Sequence, residues 1–234
     1  MNILITGASS GIGRYAASYL GMPESHKIFL LARSQSGLEE SIAIARERGA
    51  KGHFEILVAD LNQLNHEELS GKLGQIPHLD ILINNAGYLV HKPFMQTTTD
   101  DWNEILAVNL LGPVYLSKLV MPWLQKSNRP HIVNISSMGG VQGSAKFPGL
   151  SAYSTAKGAL SILTECLAEE FKDQNIAVNG LALGAVQTQM LETAFPGIQA
   201  PVDADTMGKY LANFALTGHH VYNGKVLPVS LSTP

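Results

Sequence analysis

The amino-acid sequence predicts an α/β protein: a parallel sheet with helices on both faces. Short apolar runs alternate with amphipathic segments along nearly all of its 234 residues, the pattern of strand, helix and strand units. The runs are almost uninterrupted in apolar character, as expected of strands buried on both sides. No repeat, low-complexity tract or linker divides the chain, so residues 1–234 are expected to form one domain.

Hydrophobic residues make up 45% of the chain and charged residues 15%, which argues against disorder. A net charge of -3 offers no basic footprint for nucleic acid. Cys166 is the single cysteine, which excludes an internal disulfide framework and is compatible with a reducing compartment. Met1 to Thr6 run directly into a strand pattern with no signal-peptide features. The most apolar long stretch, 105–124, carries Asn109, Pro113, Ser117, Lys118 and Pro122, and reads as a buried helix rather than a membrane span. A cytoplasmic location is expected. The eight histidines are scattered, and no metal site is expected from their spacing.

In chain order, the first candidate strand, 2–6, ends in Thr6-Gly7-Ala8-Ser9-Ser10-Gly11-Ile12-Gly13, ahead of a helical pattern over 12–20. Three glycines at a strand-to-helix turn permit a tight bend and let a pyrophosphate approach the helix N-terminus. The second strand, 27–32, ends in Ala32 and Arg33, 20 residues after Gly13. An acidic side chain there would suit a ribose 2′-hydroxyl, whereas an arginine suits a 2′-phosphate. NADP(H) is therefore preferred over NAD(H).

A helical pattern over 37–48 leads to a third strand, 53–59, followed by Asp60 and Leu61; Asp60 can also cap the next helix. That helical pattern covers 65–73, and a fourth strand, 79–84, ends in Asn84-Asn85-Ala86-Gly87. The long helix, 101–124, places Asn109 among Ala107, Val108, Leu110 and Leu111, a polar group that needs a partner. The fifth strand, 131–136, runs into Ser136 and Ser137, and Ser151 to Lys157 open a helix over 154–173. Tyr153 and Lys157 are four apart and share one helix face. A phenol with a pKa of about 10 is a poor acid at neutral pH, and an ammonium beside it lowers that value. The phenol can then exchange a proton with a carbonyl oxygen or an alcohol. A sixth strand, 177–182, a helix over 205–215 and a seventh strand, 225–229, complete the pattern.

The glycine loop of Thr6 to Gly13, Asn84-Asn85-Ala86-Gly87 and Tyr153-x-x-x-Lys157, in this order, make the chain resemble the short-chain dehydrogenase/reductase family over residues 1–230. The resemblance implies a Rossmann-type doubly wound sheet of seven mostly parallel strands. It implies cofactor contacts from Gly7, Ser9, Ser10, Gly11, Ile12 and Gly13 at the phosphates and ribose, and from Asp60 and Leu61 at the adenine. Asn85, Ala86 and Gly87 would also touch the cofactor, with Gly184, Val186 and Thr188 at the nicotinamide end. The implied catalytic set is Asn109, whose backbone holds a relay water; Ser137, with Ser136 as the alternative; Tyr153; and Lys157, which lowers the phenol pKa and binds the nicotinamide ribose. The implied activity is NADP(H)-dependent hydride transfer to or from a small carbonyl or secondary alcohol, a 3-oxoacyl thioester among the candidates. The alternative is a non-catalytic NADPH-binding sensor or interaction module on the same fold, against which the complete catalytic set counts.

Five features depart from or elaborate that pattern. Leu183 stands where the family has proline, and Ser137 to Tyr153 spans 16 residues, longer than usual, through extra residues around Gly143 to Lys146. A short lid is expected over 189–205, with Met190, Leu191, Phe195 and Ile198 as its apolar residues. The chain ends in Leu231-Ser232-Thr233-Pro234 rather than an acidic, glycine-rich tail. The helix after Tyr153 carries one stripe of Ala156, Leu160, Leu163, Leu167 and Phe171 and a second of Ala159, Ile162 and Cys166. A helix apolar on two sides is buried on two sides; the resemblance implies that this helix pairs across a two-fold axis in a homodimer or homotetramer, the alternative being that the long helix ending near Leu124 covers the second face.

Overall fold

The computed structural model describes residues 1–231; Ser232, Thr233 and Pro234, part of the unusual C-terminus, lie outside the described residues. The strands are β1 (Asn2–Thr6), β2 (Lys27–Ala32), β3 (His53–Val58), β4 (Ile81–Asn84), β5 (His131–Ser137), β6 (Ala177–Leu183), the short β7 (Val186–Gln187) and β8 (Val202–Asp203), and β9 (Val226–Val229). Seven of them form one sheet in the order β3-β2-β1-β4-β5-β6-β9, parallel at every pairing. The helices are α1 (Gly11–Leu20), α2 (Gln35–Glu47), α3 (His66–Leu73), α4 (Thr99–Leu106), α5 (Gly112–Leu124), α6 (Ser151–Glu170), α7 (Gln189–Ala194) and α8 (Ala204–Thr217).

Successive strand residues point to opposite faces, and this divides the core in two. Ile3, Ile5, Ile28, Leu30, Ile81 and Ile83 pack with Ala16 of α1, Leu38 of α2 and Leu211 of α8. Leu4, Phe29, Leu82 and Ile132 pack with Leu69 of α3, Leu116 and Val120 of α5 and Ala168 of α6. Each fully buried Leu or Ile contributes about 1.5–3 kcal/mol, which is why the unbroken apolar runs become two-faced strands. The chain leaves β1 for β2 on one side of the sheet, and β4 lies on the other. Where the winding reverses, the C-terminal strand ends splay into a crevice.

Three elements differ from the sequence reading. Asn109 does not sit in an ordinary helix: Ala107–Leu111 form a π turn between α4 and α5, and the Gly112 N–H reaches back five residues to the Ala107 carbonyl. Such turns occur mostly as single insertions within α-helices, often at functional positions. The buried row of α6 is Ala152, Ala156, Leu160, Thr164 and Ala168, whereas Leu163 and Leu167 are only partly buried; the observed spacing by four puts Thr164 rather than Leu163 in the buried row. Its second face is not covered by α5, since Ile162 is 61% exposed and Cys166 is exposed. The lid region contains α7 and the β7–β8 pairing of Val186 with Val202 and Gln187 with Asp203.

By length and composition, Thr99–Leu124 could cross a membrane. It packs instead as a wall of the sheet, with Leu116, Val120 and Leu124 fully buried.

Candidate active site

The first two turns of the crevice hold each other in place. Gly7 has φ 66°, and a Cβ there would come within 2.8 Å of the Ala86 Cα, so only glycine allows the close approach. Thr6 Oγ1 accepts from the backbone N–H groups of Asn85 and Ala86, each at 3.0 Å, and the Asn85 amide donates to the Thr6 carbonyl at 2.9 Å. Asn84 stays behind the turn: its amide donates to Asn134 Oδ1 at 2.8 Å, and Asn134 donates to Thr164 Oγ1 at 2.9 Å. A satisfied buried polar chain thus joins β4, β5 and α6, which suits residues whose desolvation would otherwise be costly.

A cleft of about 680 Å³ opens above these turns. The predicted glycine-loop residues Gly7, Ser9, Ser10, Gly11 and Ile12 line it, as do Arg33, Asp60 and Leu61. Asn85, Ala86 and Gly87 line its middle, and Gly184, Val186 and Thr188 line the far end with Ser137, Tyr153 and Lys157. Two predicted site residues stand outside it. Gly13 lies beneath the loop, where a Cβ would collide with the Gly7 carbonyl oxygen and the Asn85 amide. Asn109 is fully buried; its amide donates to the carbonyls of Tyr88 at 2.7 Å and Ile105 at 2.9 Å. Its side chain therefore fastens the loop after β4 to the π turn.

Arg33 is exposed and makes no ion pair among the described residues. The other cation near the loop, Arg14, is engaged by both Glu40 oxygens at 3.1 and 2.7 Å and by the Ser9 carbonyl at 2.6 Å. Asp60 both lines the cleft and caps the 3-10 turn of Leu61–Gln63, accepting from the Asn62 N–H at 2.9 Å.

Strand alternation separates the two serines. Ser136 turns into the protein, donating to the Lys157 carbonyl at 2.8 Å beside Ser161 Oγ at 2.8 Å. Ser137 accepts from the Gly139 N–H at 3.2 Å and is near enough to the Tyr153 hydroxyl to favour its phenolate. Lys157, 3% exposed, donates to the Ile135 carbonyl at 2.8 Å, with its Nζ 5.8 Å from the Tyr153 ring centroid. Burial brings the Lys157 ammonium down to about 8. The Tyr153 phenol departs from the expected lowering: burial pushes it up to about 12, and the Ser137 hydroxyl offsets only part of that. Desolvation disfavours the phenolate more than the neighbouring groups favour it.

Leu183 does not break β6; it pairs with both Ser137 and Val229 and is buried. The lid residues Met190, Leu191, Phe195 and Ile198 all line the cleft. Sequence reasoning missed Tyr88, Phe147 and Leu150, which also line it. The extra residues before Tyr153 were the available signal for the last two.

A dinucleotide-binding α/β sheet with a tyrosine, serine and lysine at one end of its crevice defines an oxidoreductase that works with a nicotinamide cofactor. Residues 1–199 match the family model described as short chain dehydrogenase, and the chain belongs to the short-chain dehydrogenase/reductase family. Among relatives, it is 30% identical over 192 residues to a cyclopentanol dehydrogenase of Comamonas sp. (strain NCIMB 9872), covering 81% of this chain and 74% of the relative. It is 34% identical over 191 residues to a 3-oxoacyl-(acyl-carrier-protein) reductase of Aquifex aeolicus (strain VF5), covering 80% and 74%. The solved structure of levodione reductase superposes with a TM-score of 0.87 at 26% identity over 98% of this chain and 95% of that one. A short chain dehydrogenase from Escherichia coli CFT073, solved with NADPH, gives 0.84 at 27% over 97% and 95%. A xylitol dehydrogenase solved with NAD+ gives 0.84 at 27% over 99% and 98%.

Proposed function

We propose that this protein is an NADP(H)-dependent reductase of a neutral, largely apolar carbonyl compound, or a dehydrogenase of the matching secondary alcohol, acting as one catalytic domain with its own lid. The observation that carries the reading is a single cleft with Tyr153 and Ser137 at one end and Arg33 at the other. The residues fit a dinucleotide: α1 begins in the cleft with an N-cap, Ser10, that makes no side-chain capping bond, leaving its N–H groups to an anion. The close Gly7 turn admits the phosphates beside it.

When bound, the nicotinamide would supply or accept the hydride. Ser137 donates to the substrate oxygen and aligns it with Tyr153. Tyr153, protonated at neutral pH because burial holds its pKa near 12, is in the form that delivers a proton to that oxygen. Lys157, charged below about 8, stabilises the phenolate left behind and holds the cofactor ribose, while the Asn109 backbone at the π turn holds the relay water.

The lid supports an apolar substrate, since it presents Met190, Leu191, Phe195 and Ile198. The lysines near the mouth are engaged: Lys92 with both Asp101 oxygens at 2.8 Å, and Lys146 with the carbonyls of Val141 and Ser144 at 2.6 and 3.0 Å. This favours a ketone such as cyclopentanone over a 3-oxoacyl thioester with its anionic arm. Leu111, Tyr115 and Ile162, between 39% and 61% exposed, support assembly of a homodimer or homotetramer through α5 and α6.

The test is a fluorescence titration of NADPH and NADH on the wild type and on Arg33→Ala. A charge-assisted contact to the 2′-phosphate is worth about 10- to 100-fold in affinity, so NADPH should bind tighter by that factor and the substitution should remove most of it. Equal binding of NADH by the wild type would overturn the cofactor preference.

A further inference from the structure

We propose that His91 is a positioning residue that ties the lid to the long loop before Tyr153 and so sets the closed shape of the substrate cavity; the kinetic part rests on the proposed carbonyl chemistry. Three observations converge on this one side chain. Its ring packs against Phe195, the C-cap residue that follows α7, with centroids 4.6 Å apart and planes inclined by 39°. Its Nε2 lies 3.1 Å from the Pro148 carbonyl oxygen; because a carbonyl only accepts, the nitrogen is the donor. The neighbouring Gly149 has φ 85°, and a Cβ there would collide with the imidazole, so the loop is shaped to receive it.

The three segments joined are far apart in sequence and all face the same cavity. Tyr88 and Leu89 precede His91, Phe147 and Leu150 flank its carbonyl partner, and Phe195 is its ring partner; all five line the cleft. His91 itself is exposed at the rim and lies outside the cleft lining. It cannot act on the reacting atoms. It acts by holding Phe195 and the Phe147 to Leu150 wall at a fixed separation, which limits the size and shape of substrate that reaches Ser137 and Tyr153.

Hydrogen exchange of the whole chain, measured on wild type, His91→Ala, His91→Phe and His91→Gln, tests this without any substrate. A ring contact and a hydrogen bond of ordinary strength each change a local opening equilibrium by up to about tenfold. His91→Ala should exchange about tenfold faster in both 189–198 and 145–150. His91→Phe should retain protection of 189–198 and lose it in 145–150, and His91→Gln should do the reverse. Turnover of a carbonyl substrate by His91→Ala should show KM raised about tenfold with kcat and NADPH affinity within about twofold of wild type. Unchanged exchange in both segments of His91→Ala, or exchange that rises across the whole chain alike, would overturn the proposal. If no carbonyl is reduced by any variant, the proposed activity fails while the exchange result still decides the role of His91.

Discussion

Acidification should destabilise this fold through one buried histidine. His131 is fully buried at the start of β5. Its Nδ1 lies 2.9 Å from the Ala215 carbonyl oxygen and its Nε2 3.1 Å from the Asn179 amide nitrogen. The carbonyl requires Nδ1 to carry the proton and the amide requires Nε2 to accept, so both contacts select the neutral ring. A second proton would meet the Asn179 N–H. Burial accordingly lowers the His131 pKa from 6.5 to about 4. The unfolded chain takes up its proton first, so this contribution is fully present above pH 6.5 and is lost as pH falls through about 4. At about 1.4 kcal/mol for each tenfold change in proton affinity, the loss reaches about 2 kcal/mol by pH 5 and about 3 kcal/mol at its limit. His219, also lowered to about 4 by burial, acts in the same direction but is less enclosed. The Asp101 carboxylate, held down to about 2 chiefly by the Lys92 hydrogen bond, titrates below this window. Urea unfolding between pH 7 and 4.5, with imidazole signals followed by NMR, measures both quantities. A His131 ring that titrates near 6.5 in the folded protein, or stability that stays level from pH 7 to 5, would refute the reasoning.

Ser137→Ala should lower kcat by about 100-fold or more, as loss of an oxygen-stabilising donor does, whereas Ser136→Ala should cost about 1 kcal/mol of stability and leave kcat within about tenfold; steady-state kinetics and unfolding on the pair check this. Gly13→Ala, which puts a methyl group against the Gly7 carbonyl and the Asn85 amide, should destabilise by about 1–3 kcal/mol and weaken dinucleotide binding, as thermal unfolding with and without NADPH would report.

The parts of this protein most legible in its sequence are those where chemistry demands a residue type at a turn. Gly7 and Gly13 are needed because a side chain has no room, and Tyr153 and Lys157 because helix spacing brings i and i+4 together. The central strands were legible because their runs are largely apolar on both faces; β3, with exposed His53 and with Glu55 paired to Lys27 and Lys72, is the least so. What escaped depends on packing between distant segments. The spacing of Tyr153 and Lys157 shows an ammonium near a phenol, yet the degree of enclosure decides the phenol's pKa, and burial wins. The π turn around Asn109 reflects which carbonyl each N–H reaches, and helical periodicity does not distinguish four from five. Which of the two side chains, Ser136 or Ser137, bonds back into α6 depends on the strand's orientation, which the sequence does not show. His91 carries no motif; its significance arises only where residues 91, 148 and 195 meet.

The most direct test of the central claim is carbonyl-dependent oxidation of NADPH, followed by nicotinamide absorbance with cyclopentanone and related ketones, on wild type and Tyr153→Phe. The wild type should turn over, and the variant should bind NADPH normally while losing about 10²- to 10⁴-fold in rate, the usual worth of a positioned general acid. A variant as fast as wild type, or a wild type that binds NADPH tightly and oxidises it with no ketone in the series, would contradict proton delivery by Tyr153 to an apolar carbonyl.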